Sequence, residues 1–256
     1  MRTKSIYNDM FEEKTIIECY RGSISHNLEI RDKGSKFITD DIDTIKVYRY
    51  PDQYYFTLEG YNKTKEVYEK TQGEIDEVAY EIRKAFQLLY SLNPNVTPIL
   101  YLKDEHYIQT TPQWELIKEN RKVFNSKNRL RDVFIGYAKS QYKKMLNKGS
   151  YFGYQGDKRK KQYGQLGYDA KHAQHSIRLL RVGQEWLLNG EPQIYRTTDR
   201  EELMAIKLGE YSSEQIKKLY NKELKKLDEA YFKSKLPEKN SKYDVNKLLY
   251  EVMNYD

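Results

Sequence analysis

The spacing of apolar positions changes character near residue 112 of this 256-residue chain. Before that point the runs are short. Thr15 to Tyr20 reads as a buried strand that runs into Gly22-Ser23, and Ser25 to Leu28 begins a short helix capped by Ser23 or Ser25. Glu29 to Asp40 is polar, contains Gly34 and reads as a loop. Asp41 to Tyr50 sets Ile42, Ile45 and Val47 among polar partners, a second strand that Pro51 ends. Lys65 to Lys70 predicts another strand, leading through Gly73 to Asp76 at the mouth of a helix. From Glu77 onward Val78, Ile82, Ala85, Phe86, Leu88 and Leu89 recur at helical spacing, and Asn93-Pro94-Asn95 breaks the run before a fresh start at Val96.

Thr110-Thr111-Pro112 separates this part from one that is almost wholly helical. Residues 114–124, 130–146, 169–188, 200–207 and 213–233 all keep a period near 3.6. Between the second and third of these, Gly149 to Gly156 is rich in glycine and aromatic residues, and Lys158 to Lys161 follow, a mobile loop by composition. The fold class expected is α+β, a small mixed sheet flanked by helices and followed by a helical domain. The expected domains are 1–112 and 113–256.

Charge sharpens that division. Residues 1–114 carry 15 basic and 19 acidic side chains, whereas residues 115–165 carry 14 basic and 4 acidic, a net of +10. An acidic block beside a strongly basic one suits a protein that handles polyanions, although a charge run alone also serves as a solvated face. The 25 tyrosines supply aromatic area to bury, so a mean hydropathy of −0.93 does not imply disorder. No run of about 18 apolar residues is present, so no membrane partner is expected. The first residues lack the apolar core of a secretory signal and Cys19 is the single cysteine, which excludes an internal disulfide and points to a cytoplasmic protein.

Candidate chemistry lies in the first block. Asp41 and Asp43 alternate along one strand and so point to one face, where two like charges repel unless a cation lies between them. Asp76 offers a third acid. Asp40 points to the opposite face and is left out. Magnesium takes oxygen ligands, usually one or two carboxylates with water and phosphate completing the shell. A Gly22-Ser23 turn after a strand can present backbone N–H groups and the Ser23 hydroxyl to phosphates. Each motif is common by itself; their order, strand, Gly-Ser, helix, loop and then Asp-Ile-Asp, carries the reading.

In the second block Lys171, His175 and Arg178 fall at i, i+4 and i+7 on one helix face, a basic stripe suited to a triphosphate and a departing pyrophosphate. His172 and His175 are three apart without an evident third ligand for zinc. Lys139 and Gln141 are candidates for the nucleotide or the acceptor, with surface placement of Lys139 the alternative. Trp114 and Trp186 read as core. Tyr151, Phe152 and Tyr154 suit stacking on unpaired bases, and equally an ordinary loop.

Arg21-Gly22-Ser23 with Asp41-Ile42-Asp43 resembles the polymerase β-like nucleotidyltransferases. Asn93-Pro94-Asn95, Thr110-Thr111-Pro112, Gly136 to Gln141, Gly167 to His175, Arg178 to Arg181 and Asp199 to Leu203 resemble, in order, the blocks of one bacterial and phage branch, the RlaP-type nucleotidyltransferases associated with RNA-repair ligases. The resemblance implies that Asp41 and Asp43 are metal ligands, that Asp76 is the third acid, and that Gly22 and Ser23 sit at the triphosphate. Seventeen residues separate Ser23 from Asp41, longer than usual for the superfamily, and Leu28 to Thr39 reads as an inserted loop.

The function expected is a magnesium-dependent (or manganese-dependent) nucleotidyltransferase that moves a nucleoside monophosphate from an NTP, with ATP the expected one, to an acceptor hydroxyl. The expected acceptor is an RNA end, with an RNA ligase or other protein as a further partner. Two alternatives stay open: nucleotidyl transfer to a protein or small molecule, and RNA binding without catalysis.

Overall fold

The computed structural model describes residues 13–30, 40–58, 66–146 and 157–255, with side chains from residue 160 in the last of these. A five-stranded mixed sheet has the order β3-β4-β2-β1-β5. Its strands are β1 (Lys14–Tyr20), β2 (Ile42–Arg49), β3 (Val67–Gln72), β4 (Ile75–Glu81) and β5 (Tyr107–Thr110). β2 and β4 are parallel; every other pairing is antiparallel. The central strand β2 buries Ile45, Val47 and Tyr48 almost completely.

Two helices of four and five residues, α1 (Gly22–Ser25) and α2 (Asp52–Phe56), follow β1 and β2. Then come α3 (Ile82–Tyr90), α4 (Pro112–Glu119), α5 (Lys127–Leu146), α6 (Asp157–Leu166), α7 (Ala170–Asn189), α8 (Arg200–Leu208), α9 (Ser213–Lys233) and α10 (Lys242–Met253). The α+β class is as expected.

Several local expectations are corrected. Asp76 lies within strand β4, not at the mouth of a helix, and residues 77–81 are extended. The helix starts only at Ile82, because Glu81, buried and extended at φ −61° and ψ 145°, caps it by accepting from the amides of Arg83 and Lys84. The helical spacing at 78–89 spans this switch, since Val78 and Ala79 are buried in the sheet and Ile82, Ala85, Phe86 and Leu89 beneath it. The predicted helix over 114–124 is α4 followed by a 3₁₀ turn at Arg121–Phe124. Residues 157–161, predicted as loop, open a helix that runs to Leu166, and α2, β5 and α10 are additional elements.

Helix α7 is the hub of the helical layer: α5, α8 and α9 all pack on it. Gly183 lets two of them approach closely, for a Cβ there would lie 2.9 Å from Leu227 Cδ1 on α9 and 3.1 Å from Phe134 Cβ on α5. Trp114 and Trp186 are fully buried, as expected for core residues. One hydrophobic cluster runs from Ile16 in β1 to Val252 in α10, so sheet and helices share a core across residue 112. Helix α10 returns to pack on α3 and α4. No described helix is long and apolar enough to cross a membrane.

Candidate active site

Two strand pairings bring the acids and the glycine-serine turn to one end of the sheet. β1 runs antiparallel to β2 with Tyr20 opposite Thr44, so the chain leaving β1 emerges beside the start of β2. β4 runs parallel to β2 with Asp76 opposite Asp43. These two carboxylates thus share one register position on strands about 4.8 Å apart. Asp41 precedes β2 and is exposed, while Asp43 and Asp76 are half-buried.

The turn is pressed against Asp43. Gly22 holds φ +65°, and a Cβ at that position would run into the Asp43 carboxylate, so both backbone and space demand glycine. Arg21 donates its amide to Asp43 O at 2.9 Å and its Nε to Thr44 O at 3.1 Å, and its Nη2 lies 3.4 Å from Asp43 Oδ1. Ser23 Oγ is buried and has no hydrogen-bond partner among the described residues. Burial raises the Asp43 carboxyl above its usual range; Arg21 and Lys171 oppose the rise, and the charges of Asp76 and Asp41 add to it.

The donor set bears on whether a divalent ion suits this end. All three side chains offer hard oxygen, and the charges of Asp76 and Asp41 add to the rise at Asp43. Among the described residues, however, no three histidines, cysteines or acids converge as a ready-made cage. The acids therefore fit a hard cation that completes its shell with water and phosphate oxygens, as magnesium does, rather than one enclosed by protein.

Across a cleft of about 280 Å³ stands helix α7, whose Lys171, Gln174, His175 and Arg178 line the same space as Gly22, Ser23 and Asp43. Asp169 starts the helix by accepting from the His172 amide at 2.9 Å. Burial, helped by Arg178 and Lys171, pushes His175 well below its ordinary value, so it is neutral at pH 7. Arg178 Nη1 meets His26 Nε2, while His26 Nδ1 lies 3.0 Å from the Ile194 carbonyl oxygen. A carbonyl can only accept, so Nδ1 carries the proton and Nε2 offers its lone pair to the guanidinium. Burial, reinforced by Arg178, keeps His26 neutral. Burial and Arg196 lower Arg178 to about 9, which leaves it charged at neutral pH.

The segment behind the turn is clamped by the helical layer. Asn27, in the left-handed region at φ +59°, donates Nδ2 to Arg196 O at 2.9 Å and accepts at its carbonyl from Arg200 Nε at 2.9 Å. Lys207, fully buried, donates to Leu28 O at 2.6 Å and pairs with Asp40 Oδ2 at 2.5 Å. Lys171 Nζ lies 3.4 Å from the other Asp40 oxygen, so Asp40, set aside on strand alternation, serves as an internal counter-ion. Burial would raise the Asp40 carboxyl, but the Lys207 ammonium beside it holds it below its usual range.

The structure thus brings Gly22, Ser23, Asp43, Lys171, His175 and Arg178 to one cleft, with Asp76 beside Asp43 and Asp41 exposed nearby. Lys139 is exposed and does not line it; Gln141, two residues on, does, and its Oε1 lies 2.6 Å from His172 Nδ1. Tyr151, Phe152 and Tyr154, and residues 31–39 of the predicted inserted loop, fall outside the described residues. Sequence reasoning missed His26, Gln174 and Lys207. Gln174 lies on the face already singled out, one residue before His175, whereas nothing local in the sequence marks His26 or Lys207.

A comparison with curated proteins gives no match. The crystal structure of a nucleotidyltransferase-like protein from Exiguobacterium sibiricum 255-15 is 14% identical, covers 99% of this chain and 79% of its own, and has a TM-score of 0.31, too low to carry an argument. The family described as RlaP, RNA repair pathway DNA polymerase beta family, matches residues 14–251, nearly the whole length, and this chain belongs to that family.

Proposed function

We propose that this protein is a divalent-cation-dependent nucleotidyltransferase that moves a nucleoside monophosphate from an NTP onto the terminal hydroxyl of an RNA. One observation carries the reading: Asp43 stands in register with Asp76 and directly against the Gly22 turn, facing a helix lined with cations.

Asp43, with Asp76 or Asp41 beside it, would offer carboxylate oxygen to the cation, which when bound would neutralise phosphate charge and lower the pKa of the acceptor hydroxyl. Ser23 and the turn would take phosphate oxygens of the NTP, and Lys171 and Arg178 would balance the charge that grows on the leaving pyrophosphate. The acceptor oxygen forms a bond to the α-phosphorus in line as the bond to the β-phosphate bridging oxygen breaks, and the hydroxyl proton passes to a carboxylate or to water. His175, neutral and half-buried, can donate one hydrogen bond without adding charge.

The RNA acceptor is supported by the family's repair association and by the basic block. Helix α5 joins that block to the cleft: Tyr137 and Gln141 line it, while Lys139, Lys143 and Lys144 on the same helix face solvent. Magnesium and ATP remain the expected ion and substrate.

The test is transfer of label from α-labelled NTPs to a short RNA with magnesium, repeated in EDTA and with Asp43→Asn. Label on the RNA that needs both the metal and Asp43 is the expected result. Label appearing on protein instead would replace the acceptor, and label retained by the variant would remove the mechanism.

A further inference from the structure

Helix α7 contributes to the cleft a residue with one polar group that no described residue satisfies. Gln174 is 2% exposed, lies between Lys171 and Arg178 on the cleft face, and its Nε2 has no hydrogen-bond partner among the described residues. A buried amide donor without a partner is destabilising, and native proteins keep few of them. Ser23 Oγ, on the opposite wall of the same cleft, is in the same condition. Two unsatisfied groups, on residues from separate elements that line one cavity, point to an occupant that satisfies both.

The surroundings say what that occupant is. Ser23 can donate, the Gln174 Nε2 can only donate, and Lys171 and Arg178 are cationic donors. The occupant must therefore offer several acceptor oxygens and bear negative charge, as a polyphosphate does. Apolar walls from Pro98, Ile99 and Leu179 close part of the cleft, so such an anion is partly withdrawn from water and each donor counts for more.

We infer that Gln174 is a ligand-contacting residue that donates through Nε2 to a phosphate oxygen of the bound polyphosphate, the group shared by the NTP and the released pyrophosphate. This rests on the nucleotidyltransferase reading and adds a residue to it. It also carries a signature that a structural glutamine would not. If Nε2 awaits a ligand, replacing it with an apolar side chain of similar length removes an unsatisfied donor, which costs the free protein nothing while weakening the anion.

The experiment measures inorganic tripolyphosphate with magnesium by calorimetry, together with the melting temperature of each free protein. Gln174→Met is expected to bind tripolyphosphate roughly tenfold more weakly, the loss of one hydrogen bond to a charged group, and to melt no lower than wild type when free. Gln174→Glu, which sets a carboxylate against the anion, is expected to abolish detectable binding. Wild-type affinity in either variant overturns the inference, as does a Gln174→Met protein that melts lower when free. If wild-type protein binds no tripolyphosphate, the inference falls as well. The nucleotidyltransferase reading is judged separately by wild-type transfer of labelled NMP, so either can fail alone.

Discussion

The two walls of the cleft are built in opposite ways. On the sheet side, Asp41, Asp43 and Asp76 sit at strand ends, exposed or half-buried, and burial together with the charges of Asp76 and Asp41 raises Asp43 against the pull of Arg21 and Lys171. On the helix side, Arg178 is oriented by His26 and Lys171 reaches Asp40, with Lys207 behind them. Asp43 is left above its usual range, and the cations are held in a packed frame. Groups that must take up an ion need vacant oxygen, whereas groups that must meet a phosphate at a set distance need fixed geometry.

That contrast predicts unequal costs. The largest concerns Asp43. Asp43→Asn is expected to lower transfer about a thousandfold, several kcal/mol of lost charge stabilisation, with a melting temperature at pH 7 equal to or above wild type. The sign follows from the raised carboxyl: an acid whose folded pKa exceeds its unfolded value is destabilising when ionised, and the neutral amide removes that cost. The stability gap should close as pH falls through the raised pKa, and chemical denaturation at several pH values will read it. A variant that melts much lower would make the sheet wall structural.

On the frame behind the cations, Lys207→Met leaves the buried Asp40 charge without its close partner and is expected to cost about 3–5 kcal/mol. Wild-type stability from the Asp40 pair is present above the ordinary carboxylate pKa and lost as pH falls through the depressed one. Urea unfolding of the single variant and of Asp40→Leu with Lys207→Met should show the double variant recovering much of the loss. Additive losses would mean that the two residues do not act as a pair.

His26→Ala removes the acceptor that orients Arg178 and leaves the Ile194 carbonyl without its partner, for about 1–3 kcal/mol of stability. Its distinguishing readout is kinetic. KM for the NTP is expected to rise, and His26→Gln should restore part of it, whereas a purely structural histidine would lower stability and leave KM alone. The smallest effect is expected at Lys139. Because it is exposed and outside the cleft, Lys139→Ala should change stability by less than about 0.5 kcal/mol and leave the NTP KM unchanged, while RNA affinity measured against salt falls slightly. A shift in NTP affinity would extend the helix wall to α5.

The division of labour between residues was partly legible before any coordinates. The stripe at 171, 175 and 178 follows from helical period alone, because i, i+4 and i+7 share a face whatever the helix packs on. Alternation likewise predicts a pair at 41 and 43, but β2 begins at Ile42 and Asp41 stands just before it. The switch at Glu81 was not legible, since the buried positions of β4 and α3 happen to continue one helical spacing. What breaks it is a carboxylate folding back onto the amides of residues 83 and 84. His26 and Lys207 stayed hidden for a different reason: their partners are 152 and 167 residues away.

The sequence by itself determined most of the helical runs after residue 112 and which cations share a helix face, because those follow from backbone geometry within a few residues. Only the tertiary structure decided that Asp76 meets Asp43, that Gly22 abuts it, and that α7 stands opposite. A parallel pairing of β2 with β4 and an antiparallel pairing with β1 set the first two, and the burial of one shared core sets the third. Strand pairing and core burial are long-range choices, made by the whole chain at once.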